Sequence, residues 1–204
     1  GGEAHAIHIA NAIAKEQTID IICVDDIPLE KICAYFGADR SRFRKKLVKN
    51  FNSSVTKEYD IFINASYQDQ TVSHAKKSFY VVSFPSRHDN SFDFLKSYYF
   101  LANSKYTFSW MRKYWSDVSF LGDVVYPYVS DAFHADMRKK KKIILSVGRF
   151  ASSGHTKCQL EIAQSYNAAV RKHNGNTEWE LVLIGSVNDN AYLQKVYDAL
   201  GETR

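Results

Sequence analysis

The chain has 204 residues, 45% of them hydrophobic, 24% charged and 14% aromatic, with a formal net charge of +5 and an isoelectric point near 9.0. This is the composition of one sizeable or two small folded domains, and it excludes a disordered or low-complexity polypeptide. Three cysteines without a C-x-x-C spacing argue against a disulfide framework, no apolar run approaches the roughly 20 residues that span a bilayer, and the opening Gly-Gly-Glu-Ala-His lacks the regions of a secretion signal. A reduced, cytoplasmic setting is expected.

Gly1-Gly2 lead into a helical pattern over Ala4 to Ala14, so the chain opens on a glycine turn of the kind a strand should precede. Ile19 to Val24 reads as a strand apolar enough to be buried on both faces, ending in Asp25-Asp26. Leu29 to Phe36 reads as a helix closed by Gly37. Next comes a basic stretch, Arg40 to Lys49. A charge run of this kind is ordinarily a solvated face. The interleaved Phe43, Leu47, Val48 and Phe51 also leave open a membrane-surface patch made by Arg40, Arg42, Arg44, Lys45, Lys46 and Lys49, each worth ~1 kcal/mol near anionic lipid.

Strands are expected over Tyr59 to Ala65, Phe79 to Phe84 and Tyr98 to Ala102. A helix follows over Lys105 to Trp115, its start marked by Asn103-Ser104, and then a short strand, Val124 to Tyr126, ending at Pro127. The polar segment 131–142 is read as a linker between a first domain, 1–130, and a second, 143–204. In the second the pattern restarts: strand Ile143 to Val147, helix Cys158 to His173, stop signal Asn174-Gly175, strand Glu180 to Ile184, helix Ala191 to Leu200. Apolar strands alternating with helices predict an α/β fold with parallel sheets covered on both faces.

The stretch that organises this pattern is Ile143 to Lys157. A β-branched apolar run breaks at Gly148-Arg149, crosses a small polar loop and delivers Lys157 to the start of an amphipathic helix. Backbone N–H groups at a helix N-terminus point at anions, and two cations flank the turn, so Gly148, Arg149 and Lys157 read as a diphosphate cradle. His155, in the same loop, is a candidate supporting group. Asp25-Asp26 would suit a ribose in a dinucleotide-binding domain, but Gly1 to Ala6 do not supply the G-x-G-x-x-G that such a site needs. Tyr126 and Tyr128 fall near the domain boundary, where they could touch a ligand.

Several stretches together resemble the GT-B glycosyltransferases, specifically the large retaining family often called family 4 or group 1. They are Gly1-Gly2-Glu3-Ala4-His5, the run from Tyr99 to Phe108, Val124 to Val129, Ile144 to Phe150 with His155 and Lys157, and Trp179 to Gly185. The resemblance implies two doubly wound Rossmann-type domains, the first lacking its opening strand and the second incomplete. It also implies transfer of a sugar, with retention, from a nucleotide-diphosphate donor to an acceptor hydroxyl in glycan or polysaccharide synthesis. The family's cation pair on the donor diphosphate matches Arg149 and Lys157, and its glycine-rich loop matches Gly1 and Gly2. No metal or other cofactor is then required, and the partners are a nucleotide sugar and a glycan or lipid-linked acceptor. Where many members carry a His after an N-domain strand, this chain has Ser83. The family's paired glutamates are not among these residues, so the resemblance implies a longer enzyme and leaves the catalytic residues unassigned.

Two other readings stay open on the residues alone. One is a non-catalytic nucleotide- or glycan-binding α/β module, the other a peripheral membrane-surface protein acting through the basic stretch. A nucleic-acid partner is not expected, because no recognised binding motif accompanies the charge.

Overall fold

Strand and helix alternate along the chain, and every strand pairing among the described residues is parallel. The computed structural model describes residues 2–13, 17–66, 69–87, 91–116, 119–129, 140–154, 156–175 and 177–201. The chain divides into two units, Gly1–Phe133 and His134–Arg204.

The first unit begins with α1 (Gly2–Ile13), β1 (Ile19–Cys23), α2 (Leu29–Phe36), a 3₁₀ turn (Arg40–Arg42) and β2 (Phe43–Leu47), with β1 and β2 paired. It continues through α3 (Ser53–Thr56), β3 (Ile61–Asn64), β4 (Lys77–Val82), α4 (Phe92–Ser97), β5 (Tyr99–Ala102), α5 (Lys105–Tyr114) and β6 (Leu121–Val124). The last four strands form a sheet in chain order, β3-β4-β5-β6, wound in one direction throughout.

Local chemistry sets these elements. In α2, Leu29 and Cys33 lie one turn apart and are both buried, and Gly37 ends the helix in the left-handed region (φ 63°), where the missing Cβ removes the steric cost. In α5, the Ser104 hydroxyl accepts from the Thr107 N–H at 3.1 Å, while Thr107 and Met111 turn one face to the core. That core is aromatic: Phe100, fully buried, packs against Tyr80, Phe94, Trp115 and Phe120 at centroid separations of 5.1 to 5.9 Å.

Two expectations need correcting. The basic stretch is not only a surface run: Phe43 to Leu47 form a strand whose register sets Asp20 opposite Arg44 and Ile22 opposite Lys46. Phe43, 1% exposed, anchors it to α2, which the dense charge concealed. The strand expected at Val124 to Tyr126 lies earlier, at Leu121–Val124, because Gly122 is the residue that lets β6 approach β5. A Cβ there would sit 2.5 Å from the Phe100 carbonyl oxygen.

The second unit comprises β7 (Ile143–Val147), α6 (Gln159–Lys172), β8 (Glu180–Ile184) and α7 (Asn190–Leu200), a βαβ pair with a following helix. Its core gathers Phe150, Ala163, Tyr192 and Val196. The parallel sheet expected to be covered on both faces is not so here: Leu145 and Val147 remain 57% and 67% exposed. The described residues of the two units thus form an α/β protein with parallel sheets. No described helix is long and apolar enough to cross a membrane.

Candidate diphosphate-binding corner

The chain leaves β7 without leaving the sheet. Gly148 N–H donates to the Ile184 carbonyl at 2.8 Å, Phe150 N–H to the Ser186 carbonyl at 2.9 Å, and Phe150 bridges to Val187. The Phe150 carbonyl then accepts from both Asn188 and Asp189 N–H groups at 3.1 Å. This clamp requires close backbone contact. A Cβ on Gly185 would lie 1.8 Å from the Gly148 oxygen, a distance at which only glycine fits.

A side chain that sequence reading passed over fastens the corner to the helix. Gln159 is 1% exposed, and its Nε2 donates to the Gly148 carbonyl at 3.0 Å and to the Arg149 carbonyl at 2.9 Å. Both carbonyls are thereby drawn toward the protein interior. A glutamine in the first turn of a helix has no pattern that announces such a role.

Cys158, in the left-handed region at φ 57°, starts α6 without a side-chain cap. The Leu160 N–H is satisfied by the Tyr192 hydroxyl of α7 at 3.1 Å. Helix starts of this kind carry partial positive charge and N–H groups suited to an anion, although Glu161 in the same turn offsets part of that field. Asp189 is committed elsewhere: its carboxylate accepts from Ser152 and from the Tyr192 N–H at 3.0 Å, and these bonds hold it below the usual carboxylate range.

Of the residues expected in the cradle, Lys157 is returned by the fold to Gly148, the neighbour of Arg149 in sequence. The Cβ and Cγ of Lys157 lie against Gly148, at 2.9 and 2.5 Å from where a Gly148 side chain would begin, so the lysine stem lies beside the Gly148-Arg149 peptide. Lys157 and Arg149 are both exposed, and neither makes an ion pair among the described residues.

The other expected residues contribute less. Gly1 and His155 lie outside the described residues. Gly2 is the first residue of α1 in the first unit. Ser83 follows β4, is exposed, and its carbonyl accepts from the Thr107 hydroxyl at 3.2 Å. Tyr126 and Tyr128 are 60% and 56% exposed, and Tyr128 stacks obliquely on His8 at 5.0 Å.

The basic strand carries its own counter-charge. Arg40 pairs with Glu30 at 2.9 Å, Arg42 with Asp39 at 3.2 Å, Arg44 with Asp20 at 2.8 Å, Lys45 with Asp26, and Lys46 with Glu58 at 2.5 Å. Lys49 is exposed. Asp26, weighed in the sequence as half of a ribose site, serves Lys45 instead.

A buried polar network that periodicity could not reveal follows β3. Asn64 Nδ2 donates to Asp69 at 2.7 Å, Asn64 Oδ1 accepts from the Ser66 N–H at 2.9 Å, and the Tyr98 hydroxyl donates to the Thr71 carbonyl at 2.8 Å. Burial pushes the Tyr98 phenol up to about 12, so it stays a neutral donor.

Among the described residues no group of three or more His, Cys, Asp or Glu side chains is placed to hold a metal ion. Comparison with protein-family models, with curated proteins and with solved structures returns no match.

Proposed function

We propose that the second unit binds the diphosphate of a nucleotide-sugar donor, and that the chain belongs to a retaining glycosyltransferase of GT-B architecture acting on an acceptor hydroxyl. The observation that carries this reading is the return of the Lys157 stem to Gly148, the residue before Arg149, at the end of a parallel strand and the start of α6. In parallel α/β sheets, ligands bind outside the carboxyl ends of the strands, and this corner lies at that end.

The chemistry fits a nucleoside diphosphate leaving group. As the sugar–oxygen bond breaks, negative charge grows on the β-phosphate, and fixed cations stabilise that charge more than they stabilise the ground state. Arginine grips two oxygens as a fork, and lysine acts as a point charge on a flexible stem. Gln159 holds the Gly148 and Arg149 carbonyls away from the incoming anion, which would otherwise meet two oxygen dipoles.

Titration calorimetry with uridine, guanosine and adenosine diphosphates tests this. Binding to the protein and a loss of about 1.5–3 kcal/mol in Arg149→Ala, the usual worth of a hydrogen bond to a charged group, is the expected result. Unchanged affinity in Arg149→Ala and Lys157→Met would remove the basis of the assignment.

A further inference from the structure

Helix α5 repeats an aromatic residue at every fourth position, Tyr106, Trp110 and Tyr114, and this spacing sets the three on one stripe of the helix while Thr107 and Met111 take the buried face. Phe84, just after β4, enters the same stripe, its ring centroid 6.2 to 6.3 Å from each of the other three. Rings that gather in this way are ordinarily core, yet Phe84 stays 40% and Tyr106 65% exposed. We propose that this cluster docks the protein on a membrane surface rich in anionic phospholipid. The inference holds whether or not the second unit binds a diphosphate, and it uses none of the cations of β2.

Charge selects the occupant. Helix α5 holds Lys105, Arg112 and Lys113 and no acidic residue, and Ser83 to Arg87 add one more cation and no acid. Two of these cations lie on the cluster itself. Lys113 Nζ stands 4.3 Å from the centre of the Trp110 ring, and the Arg87 guanidinium stands 5.2 Å from that of Tyr114, with Arg87 Nε donating to the Tyr114 hydroxyl at 2.7 Å. Among the described residues neither Arg87 nor Lys113 has a carboxylate partner. A cation resting on a ring keeps its charge, so its attraction is left for an anion outside the protein.

Ring geometry narrows that anion to a lipid headgroup. Single-stranded nucleic acid also answers to cations and aromatics, but its bases stack on open ring faces. Here the four rings are inclined to one another by 32 to 82°, and Lys113 and Arg87 cover a face of Trp110 and of Tyr114. Inclined Tyr and Trp rings with cations beside them match the bilayer interface instead. There such rings lodge at headgroup level with their apolar bodies toward the acyl chains, and Lys and Arg meet the phosphate and carboxylate groups. Phe84 adds the purely apolar contact that headgroup attraction alone lacks.

The cluster is held in place before any lipid arrives. The Thr107 hydroxyl donates to the Ser83 carbonyl at 3.2 Å, and Trp115 Nε1 donates to the Ser86 carbonyl at 3.2 Å. The short segment that carries Phe84 is thereby fastened to α5 at both ends, so docking has little chain left to order.

Cosedimentation of the protein with vesicles of phosphatidylserine and phosphatidylcholine in equal parts, against phosphatidylcholine alone, tests the proposal. Binding to the mixed vesicles only is expected. Arg87→Ala/Lys113→Ala should lower the partition coefficient about 30-fold, the worth of two cations near an anionic surface. Tyr106→Glu should abolish binding and, because this ring is largely exposed, leave the thermal midpoint little changed. Brominated acyl chains should quench tryptophan emission in the protein and not in Trp110→Phe, which should still bind. The proposal is overturned if the protein does not prefer the mixed vesicles, if binding survives both the double variant and Tyr106→Glu, or if the quenching persists in Trp110→Phe. It is equally overturned by self-association in the ultracentrifuge that Tyr106→Glu dissolves without any vesicle binding, the sign of a second copy on the cluster.

Discussion

Two regions carry dense positive charge, and the structure treats them oppositely. On β2 and the turn before it, five consecutive cationic positions each meet a carboxylate, four of them from elsewhere in the first unit and one, Asp39, from the start of the same turn. At the corner after β7, the Lys157 stem lies against Gly148, Arg149 follows that glycine in sequence, and neither cation has a carboxylate partner among the described residues. Residue type alone does not separate the two. What separates them is the strand register, which sets Asp20 opposite Arg44, against a glycine corner whose two cations have no carboxylate partner among the described residues. A charge run is therefore a binding surface only after its partners have been subtracted.

The largest way to break this contrast is Gly185→Ala. The new Cβ meets the Gly148 carbonyl, and neither backbone can yield, so the second unit should lose about 3 kcal/mol, the upper end of ordinary overpacking costs. Chemical denaturation followed with the Trp179 fluorescence of that unit reads the loss, and the pairing of β1 with β2 should be unaffected.

Next comes the contrast itself. Arg149→Ala should weaken inorganic pyrophosphate binding roughly 10- to 100-fold, from the charge-assisted bond it removes. Arg44→Ala should leave pyrophosphate affinity unchanged by calorimetry.

Smaller still is the stability cost of Arg44→Ala. An exposed ion pair contributes about 0.2–1 kcal/mol, so the denaturation midpoint should move little, and the shift should shrink in high salt. Cosedimentation with phosphatidylserine vesicles checks the neighbouring proposal. Because the cations of β2 are already paired, vesicle binding through this strand should be weak, and Lys45→Ala should not change it. Strong binding lost in that variant would show that lipid outcompetes the carboxylates.

The subtlest effect concerns a buried histidine of α1. His5 is 4% exposed, and burial, then the neighbouring His8, lower its pKa below the ordinary histidine value. The folded state therefore prefers neutral His5. The stability this contributes is present above the unfolded value near 6.5 and is lost as pH falls through the lower folded pKa. His5→Gln should flatten the decline in thermal midpoint of the first unit below pH 6.5, and an unchanged decline would assign it to other groups.

Much of the architecture is legible in the sequence where a continuous apolar run lies between polar turns. Ile143 to Val147 and Glu180 to Ile184 read as strands with the bounds they have in the structure. Leu29 to Phe36 is equally plain, because Gly37 marks its end. β2 is not legible, since Phe-Arg-Lys-Lys-Leu carries neither alternation nor an apolar run and becomes a strand only beside β1. β6 is displaced because a tight approach to Phe100 needs Gly122, a demand made by another strand. At the corner, the order strand, turn, helix is legible in the sequence. The bonds from Gln159 and from the Tyr192 hydroxyl join residues 10 to 32 positions apart, and no local pattern encodes them.

Amide chemical shifts of the second unit during titration with inorganic pyrophosphate test the central claim most directly. The account predicts saturable shifts at Gly148, Arg149, Gln159 and Leu160, lost in Arg149→Ala/Lys157→Met, with the amides of β2 unmoved. Shifts centred on Phe43 to Leu47, or none at Gly148 and Gln159 at any pyrophosphate concentration, would contradict it.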